Sequence, residues 1–425
     1  MNSTRNSSAK TFCILHSAFC IAATAAYAAA PVIDASSVTV AQRPDRTVEI
    51  DYTMTPAAVG DADTAIVTVD ILTNAVSVGG EHLRTLTGDV NKRVAHTSDF
   101  KHKILWQPDE EGMGEFSLPA AQVKAEITVW TPNNPPAYWI INLTHPSDRT
   151  YDRYYPEVGQ IPLGVTNVLY KTDRLVFRRI PAKGVTWRMG SSASVGFSTY
   201  HYVTFSYDYW MAIYECTPSQ YSRIRPSGWG AQSGVTPMGW NYANWRGAMT
   251  YGTCNWPQYG HENVDYLMKA FRTNLGGIMV DLPTEAEWEF ACRAGSTTTY
   301  CNGSTAADLD KVAWTQSNSG GQVKEVGLKE PNAWGLYDMH GNRAECTLDK
   351  FSKRGADPVW DPKGPLMADA DTGWSGNYKN QCFGARGGGV YNNSTWANSY
   401  GSTSVQGLLD GEGKGCAARL TIPIP

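Results

Sequence analysis

Between Val32 and Trp130 apolar and polar residues alternate with a period of two. Val48, Ile50, Tyr52 and Met54 fall on one face, as do Ala65, Val67, Val69 and Ile71 and, later, Ala125, Ile127 and Val129. The runs are separated by PAAVGDAD, SVGGEH and DEEGMG, which supply turn residues. Such a pattern predicts short antiparallel strands joined by turns. About a hundred residues of it predict a small all-β sandwich of immunoglobulin or fibronectin type over 31–131. No cluster of chemically active side chains lies there, so the region reads as a spacer or docking module. TPNNPPAYW (131–139) is a proline-rich joint. With the strand-like piece YWIINLT it fills 132–164, ahead of a second domain over 165–425. Within that domain NVLYKTDRLVFRRI also reads as strand, and beyond Gly184 the alternation gives way to loops rich in glycine and tryptophan.

Two segments there carry a helical period. VDYLMKAFRTNLGG (264–277) places Leu267, Met268, Phe271 and Leu275 on one stripe ahead of a Gly-Gly stop. TEAEWEFACRAG (284–295) holds three glutamates, a density that invites an acid–base reading. Each has a structural task instead. Thr284 and Glu287 form a capping box, Glu285 sits in the first turn where the helix dipole favours negative charge, and Glu289 pairs with Arg293 one turn on. Trp288, Ala291 and Cys292 supply the buried face, and Gly295 ends the helix.

Composition narrows the function classes. There are 15 tryptophans, 12 of them from Trp187 onward, and 22 tyrosines, against 18% charged residues. Rings in that number serve as core padding or as platforms for sugars and peptides. A net charge of -4 with no basic run sets nucleic acid aside as a partner. Arg5 and Lys10, the apolar run FCILHSAFCIAATAA and the small residues of AYAAAP form an export signal over 1–29. That run is too short to span a bilayer and no other approaches membrane length. The expectation is an exported protein without a membrane span, in the periplasm, on the cell surface or outside the cell. Removal of Cys13 and Cys20 leaves seven cysteines, an odd number for an oxidising compartment. Neither CxxC nor HxxxH occurs, so zinc and dithiol redox sites are not expected, and GxSxG and the GxxxxGK[ST] phosphate loop are absent.

The phrases RRIPAKGVTWRMGSS, HYVTFSYDYWMAIYECTPSQY, DLPTEAEWEFACRAG, PNAWGLYDMHGNRAE and ARGGG follow one another over 165–420. In that order they resemble the formylglycine-generating, or sulfatase-modifying factor, enzymes. The resemblance implies a compact, loop-rich variant of the C-type lectin fold, and so an α+β class for this domain. The family also holds iron-dependent sulfoxide synthases, pigment-maturation proteins and lectin-like binding proteins, so membership speaks to fold more than to activity.

The resemblance also brings a test. Enzymes of the formylglycine type carry Gly-Gly-Ser, two further residues, a cysteine, and a second cysteine five positions on; the thiols bind copper and engage the substrate cysteine. Here Gly387 and Gly388 match the glycines, Gly389 replaces serine, and Asn392 and Ala397 occupy the cysteine positions. Neither supplies a thiolate for a soft metal. Copper and the cysteine-oxidising reaction are therefore not expected, and no catalytic residue is assigned. The alternative is a sulfatase-modifying oxidoreductase that uses another thiol, such as Cys346, or another metal. GNRAEC (341–346) departs from the family's GN-x-WEW, with Ala344 and Cys346 in place of the tryptophans. The resemblance implies a structural calcium ion there, held by the carboxylates of Asp338 and Glu345 and the backbone carbonyls of Gly341 and Arg343. Such oxygen donors suit a hard cation, although capping of turn amides would equally occupy the carboxylates.

Without thiols, the stretch RGGGVYNNSTWANSYGSTS takes on another character. Tyr391, Trp396 and Tyr400 offer rings, while Asn392, Asn393, Ser394, Thr395, Asn398, Ser399 and Ser402 offer short hydrogen-bonding groups. Antibody loops use the same mixture, as do the retroelement-diversified termini of some lectin-like family members. The expectation is a non-catalytic binding protein whose 387–404 loop contacts a protein, peptide or glycan, the plain alternative being a polar surface loop.

Overall fold

The computed structural model describes residues 31–424 apart from 56–64, 96–98, 114–121, 132, 192–199, 226–232, 240–266, 351–356, 363–382, 392–395 and 405–415. Residues 1–29, expected to be an export signal, and the loop residues Asn392, Asn393, Ser394 and Thr395 lie outside the described residues. The protein is mixed α/β, with many strands and short helices. Among the described residues no helix is long and apolar enough to cross a membrane.

The N-terminal alternation becomes two antiparallel sheets. One orders Val32–Gln42, Val48–Thr55, Lys101–Trp106 and Thr87–Gly88; the other joins Val76–Ser77, Ala65–Thr73 and Lys92–Val94, with Val123–Trp130 also paired to Ala65–Thr73. Val48, Ile50, Tyr52 and Met54 share one buried core with Ala65, Val67, Val69 and Ile71 from the other sheet. Period-two patterning places each set on one face, as strand geometry requires. Ala125 is buried in that core, and Ile127 and Val129 pack partly buried against it. The opposite face of Ala65–Thr73 is also covered: Ile66 joins a core of the following domain, and Trp130 donates its indole N–H to the Thr68 hydroxyl. The Tyr154 amide donates to the Asn91 carbonyl at 2.8 Å, so the segment after the proline-rich joint is seated on the N-terminal strands.

A five-stranded sheet organises the rest, in the order Arg153–Tyr155, Tyr138–Asn142, Arg174–Ile180, Asp208–Ala212 and Thr421–Ile424, with every neighbouring pair antiparallel. Its strands are apolar on both faces because two cores flank it. Trp139, Ile141, Leu175, Phe177 and Trp210 enter one; Tyr138, Ile140, Val176, Ile180, Tyr209 and Met211 enter the other. The segment NVLYKTDRLVFRRI is strand only in its second half. The Asn167 side chain accepts from the Leu169 amide at 3.0 Å, and Leu169–Thr172 turns as a short helix before the strand Arg174–Ile180 begins.

Helix Leu267–Asn274 buries Met268 and Phe271, and Leu275 just beyond it is buried too; Gly276 and Gly277 follow with left-handed φ. Helix Glu285–Arg293 has the expected capping box, with the Thr284 hydroxyl accepting from the Glu287 amide at 3.1 Å and Glu287 accepting from the Thr284 amide at 2.7 Å. Every residue of this helix is buried, not one face alone. Its glutamates are consequently deep charges that need partners.

Candidate ligand-binding face

The RGGG corner is fixed from below by those glutamates. Arg386 is fully buried and bridges Glu289 at 3.0 Å and Glu285 at 3.4 Å, while Glu289 also pairs with Arg293 at 2.8 Å. The three carboxylates are structural, as their spacing implies, and the ion pair that explains two of them spans about a hundred residues. From Arg386 the chain turns through Gly387 and Gly388, both with left-handed φ. A Cβ on Gly388 would lie 2.9 Å from the Trp396 carbonyl carbon, so the glycine permits a close backbone crossing that another residue would obstruct. The amide of Val390 then donates to Asn342 at 3.1 Å, tying the corner to the GNRAE turn.

The far side of the loop is also pinned. Ser399 N–H donates to the Thr299 carbonyl at 2.9 Å, and the His340 imidazole N–H at Nδ1 donates to the Ala397 carbonyl at 2.7 Å. Of the proposed ligand contacts, Tyr391 is 40% exposed, and Trp396 and Tyr400 are half-buried at the rim, with Arg293 lying 5.9 Å from the Tyr400 ring centre. Asn398 differs from expectation. It is 3% exposed, and its side-chain oxygen accepts from the Tyr400 amide, so it shapes the turn from inside. A short polar residue at a turn serves either purpose, and the sequence does not distinguish them.

Beneath Ala397 lies a group that sequence reasoning missed. His340 Nε2 accepts from the Cys301 amide at 3.0 Å, and the Cys292 sulfur is 3.6 Å from the same nitrogen. Burial holds the imidazole down at about 4, so it is neutral at physiological pH. Burial also pushes the Cys301 thiol up to about 12 and the Cys292 thiol upward. Both imidazole nitrogens are engaged and both thiols are protonated. This arrangement packs the loop and offers no activated nucleophile. Cys346, the thiol named for the alternative reading, is likewise buried with its pKa raised.

The implied calcium donors come out as follows. Asp338 is buried with left-handed φ, accepts from the Gly327 amide at 2.6 Å, and has its other oxygen without a partner. Glu345 is turned away to Arg419: that guanidinium donates to both carboxylate oxygens at 2.6–3.0 Å, and Trp288 Nε1 adds a bond at 2.6 Å. Arg419 spends its remaining donors on the Ala212 and Tyr337 carbonyls. Gly341 is held by backbone bonding to Gly387, and Arg343 sits in the same turn. Among the described residues no three His, Cys, Asp or Glu side chains are grouped to hold a metal. The set Asp338, Gly341, Arg343 and Glu345 does not fit a calcium ion, because the charge opposite Glu345 is supplied by Arg419.

Residues 180–407 match the family model of the sulfatase-modifying factor enzyme 1-like domain. The chain is 30% identical over 171 residues to the chaperone protein LppX of Paenibacillus barcinonensis, covering 32% of this chain and 61% of that protein. It is 30% identical over 118 residues to the formylglycine-generating enzyme of Mus musculus, covering 24% of this chain and 32% of that enzyme. Over 81 residues it is 37% identical to the corresponding enzyme of Mycobacterium tuberculosis, covering 16% of this chain and 27% of that enzyme. The matches thus span less than two thirds of each of these relatives. Among solved structures, Treponema denticola variable protein 1 is similar with 20% identity and a TM-score of 0.42, over 59% of this chain and 95% of that one.

Proposed function

Because the chain belongs to the sulfatase-modifying factor family, whose model spans more than half of it, we propose that it is an exported, non-catalytic binding protein of that family. In this reading the N-terminal sheets form an immunoglobulin- or fibronectin-like sandwich that presents a C-type lectin-like domain. The loop over 387–404 contacts a protein, peptide or glycan through Tyr391, Trp396 and Tyr400, together with Asn392, Asn393 and Ser394. The observation that carries the proposal is Ala397. At the place of the family's second thiol stands a buried alanine whose carbonyl accepts the Nδ1 proton of His340, an imidazole that burial keeps neutral. Around it, a pinned loop base carries half-buried rings at its rim, which suits recognition at low ordering cost.

Two assays on the purified full chain test this. The first supplies copper, oxygen, a reductant and a peptide bearing Cys-x-Pro-x-Arg, and follows the cysteine by mass spectrometry beside a working control enzyme. The peptide is expected to stay unmodified; formylglycine would overturn the non-catalytic reading. The second measures retention on glycan and peptide arrays for the parent, Tyr391→Ala and Trp396→Ala. Loss of retention of about tenfold or more in the variants is expected, since aromatic anchors at binding sites carry about 2 kcal/mol or more. Variants that bind like the parent would remove the loop assignment.

A further inference from the structure

Two thiols with no role so far lie side by side in the C-terminal core. Cys346 is the second residue of strand Glu345–Lys350, and Cys416 opens the segment that leads into Thr421–Ile424. The backbone brings them together. The Cys346 amide donates to the Ala417 carbonyl at 3.0 Å, the Ala417 amide donates to the Ala344 carbonyl at 2.7 Å, and Glu345 faces Ala417 in a parallel bridge. Alternation then sends Glu345 and Arg419 to one face, where they pair, and Cys346 and Cys416 to the other. On that face the two thiols are close enough for Cys416 to raise the pKa of Cys346. Ala344, Ala385 and Ala418 are buried in the same cluster, so the sulfurs meet among small side chains.

We propose that Cys346 and Cys416 are joined by a disulfide when the protein folds in an oxidising environment. One S–S bond forms, and the two thiol protons and two electrons pass to a small-molecule disulfide, which is reduced to two thiols. Sulfurs on one face of directly bridged segments reach bonded geometry by side-chain rotation and a small strand adjustment. The bond forms before the pair is sealed, because burial keeps the Cys346 thiol protonated and so slow to exchange in the folded core. Once made, it ties the segment carrying Glu345 to the segment carrying Arg419. It also closes a covalent ring that contains the 387–404 loop. Cys292 is committed elsewhere, against the Met339 carbonyl and His340, and the Cys216 thiol faces the Thr217 carbonyl.

The test uses the full chain refolded with oxidised and reduced glutathione, blocked with an alkylating reagent without reduction, then digested. Mass spectrometry is expected to show a peptide pair linking residues 346 and 416, two hydrogens lighter than its separate halves and lost on reduction. In Cys416→Ser, Cys346 is expected to take up one equivalent of label after denaturation, where the oxidised parent takes up none at that residue. Full labelling of Cys346 and Cys416 when the oxidised parent is denatured without reduction, or a link from either to another cysteine, would overturn the proposal. The peptide readout on the parent stands even if the variant fails to fold, and it is independent of any ligand.

Discussion

Replacing Arg419 with alanine puts the ionic centre of the C-terminal domain under direct test. Arg419 and Glu345 are both fully buried and joined through both carboxylate oxygens. Removing the guanidinium leaves a carboxylate in a dry core and strands the Ala212 and Tyr337 carbonyls that it serves. Breaking a buried pair from one side costs about 3–5 kcal/mol. Removing both charges with apolar residues of similar volume, Arg419→Met with Glu345→Leu, is expected to recover most of that loss, giving a coupling energy of about 2 kcal/mol or more. The assay is urea unfolding of the full chain followed by tryptophan fluorescence, which reports mainly on the C-terminal domain because 12 of the 15 tryptophans lie from Trp187 onward. Calcium and a chelator are added in parallel and are expected to leave the parent midpoint unchanged. A loss below about 1 kcal/mol in Arg419→Ala would refute the reasoning. A calcium-dependent midpoint in the parent would show instead that Glu345 serves a metal.

Asp349 is buried beside Glu287, and burial pushes its carboxyl up to about 7 despite the counteracting Arg386 charge. The folded state therefore keeps a proton that the unfolded chain releases near 4, so this group's stabilising contribution falls as pH rises between those values, by up to roughly 4 kcal/mol. Asp349→Asn is expected to flatten the slope of unfolding free energy between pH 4.5 and 7.5 by up to about one proton, and coincident parent and variant slopes would contradict it. Gly388→Ala meets both a left-handed φ and the Trp396 backbone at 2.9 Å. Its expected cost is about 2 kcal/mol or more in thermal or urea unfolding, and an unchanged midpoint would remove the close-crossing argument.

What the sequence disclosed follows the range of the forces involved. The capping box at Thr284 and the Glu289–Arg293 pair are contacts within one turn, so spacing alone reveals them. Val48 to Met54 is equally legible, because alternation records which face is buried. The partner of Glu289 and Glu285 was not legible: Arg386 arrives from about a hundred residues away, and no local rule selects it. The same holds for Arg419, which turned a carboxylate resembling a calcium donor into half of an ion pair. His340 stands in a recognisable phrase, yet nothing in DMHGN announces that its ring supports Ala397. Asn398 shows a further gap, since a short amide reads alike whether it faces a ligand or its own backbone.

The strand Thr421–Ile424 completes a sheet whose neighbour, Asp208–Ala212, precedes it by some two hundred residues, and Arg419 just before it reaches the Ala212 carbonyl across 207 positions. During synthesis the edge at Asp208–Ala212 consequently has no strand to pair with until nearly everything between has emerged. Closing so long a loop before any bond rewards it makes assembly slow and late. An apolar edge left open for that interval invites wrong pairings. The arrangement accordingly favours a chain that is kept from folding piecemeal, and makes the final strand the step that commits the C-terminal core.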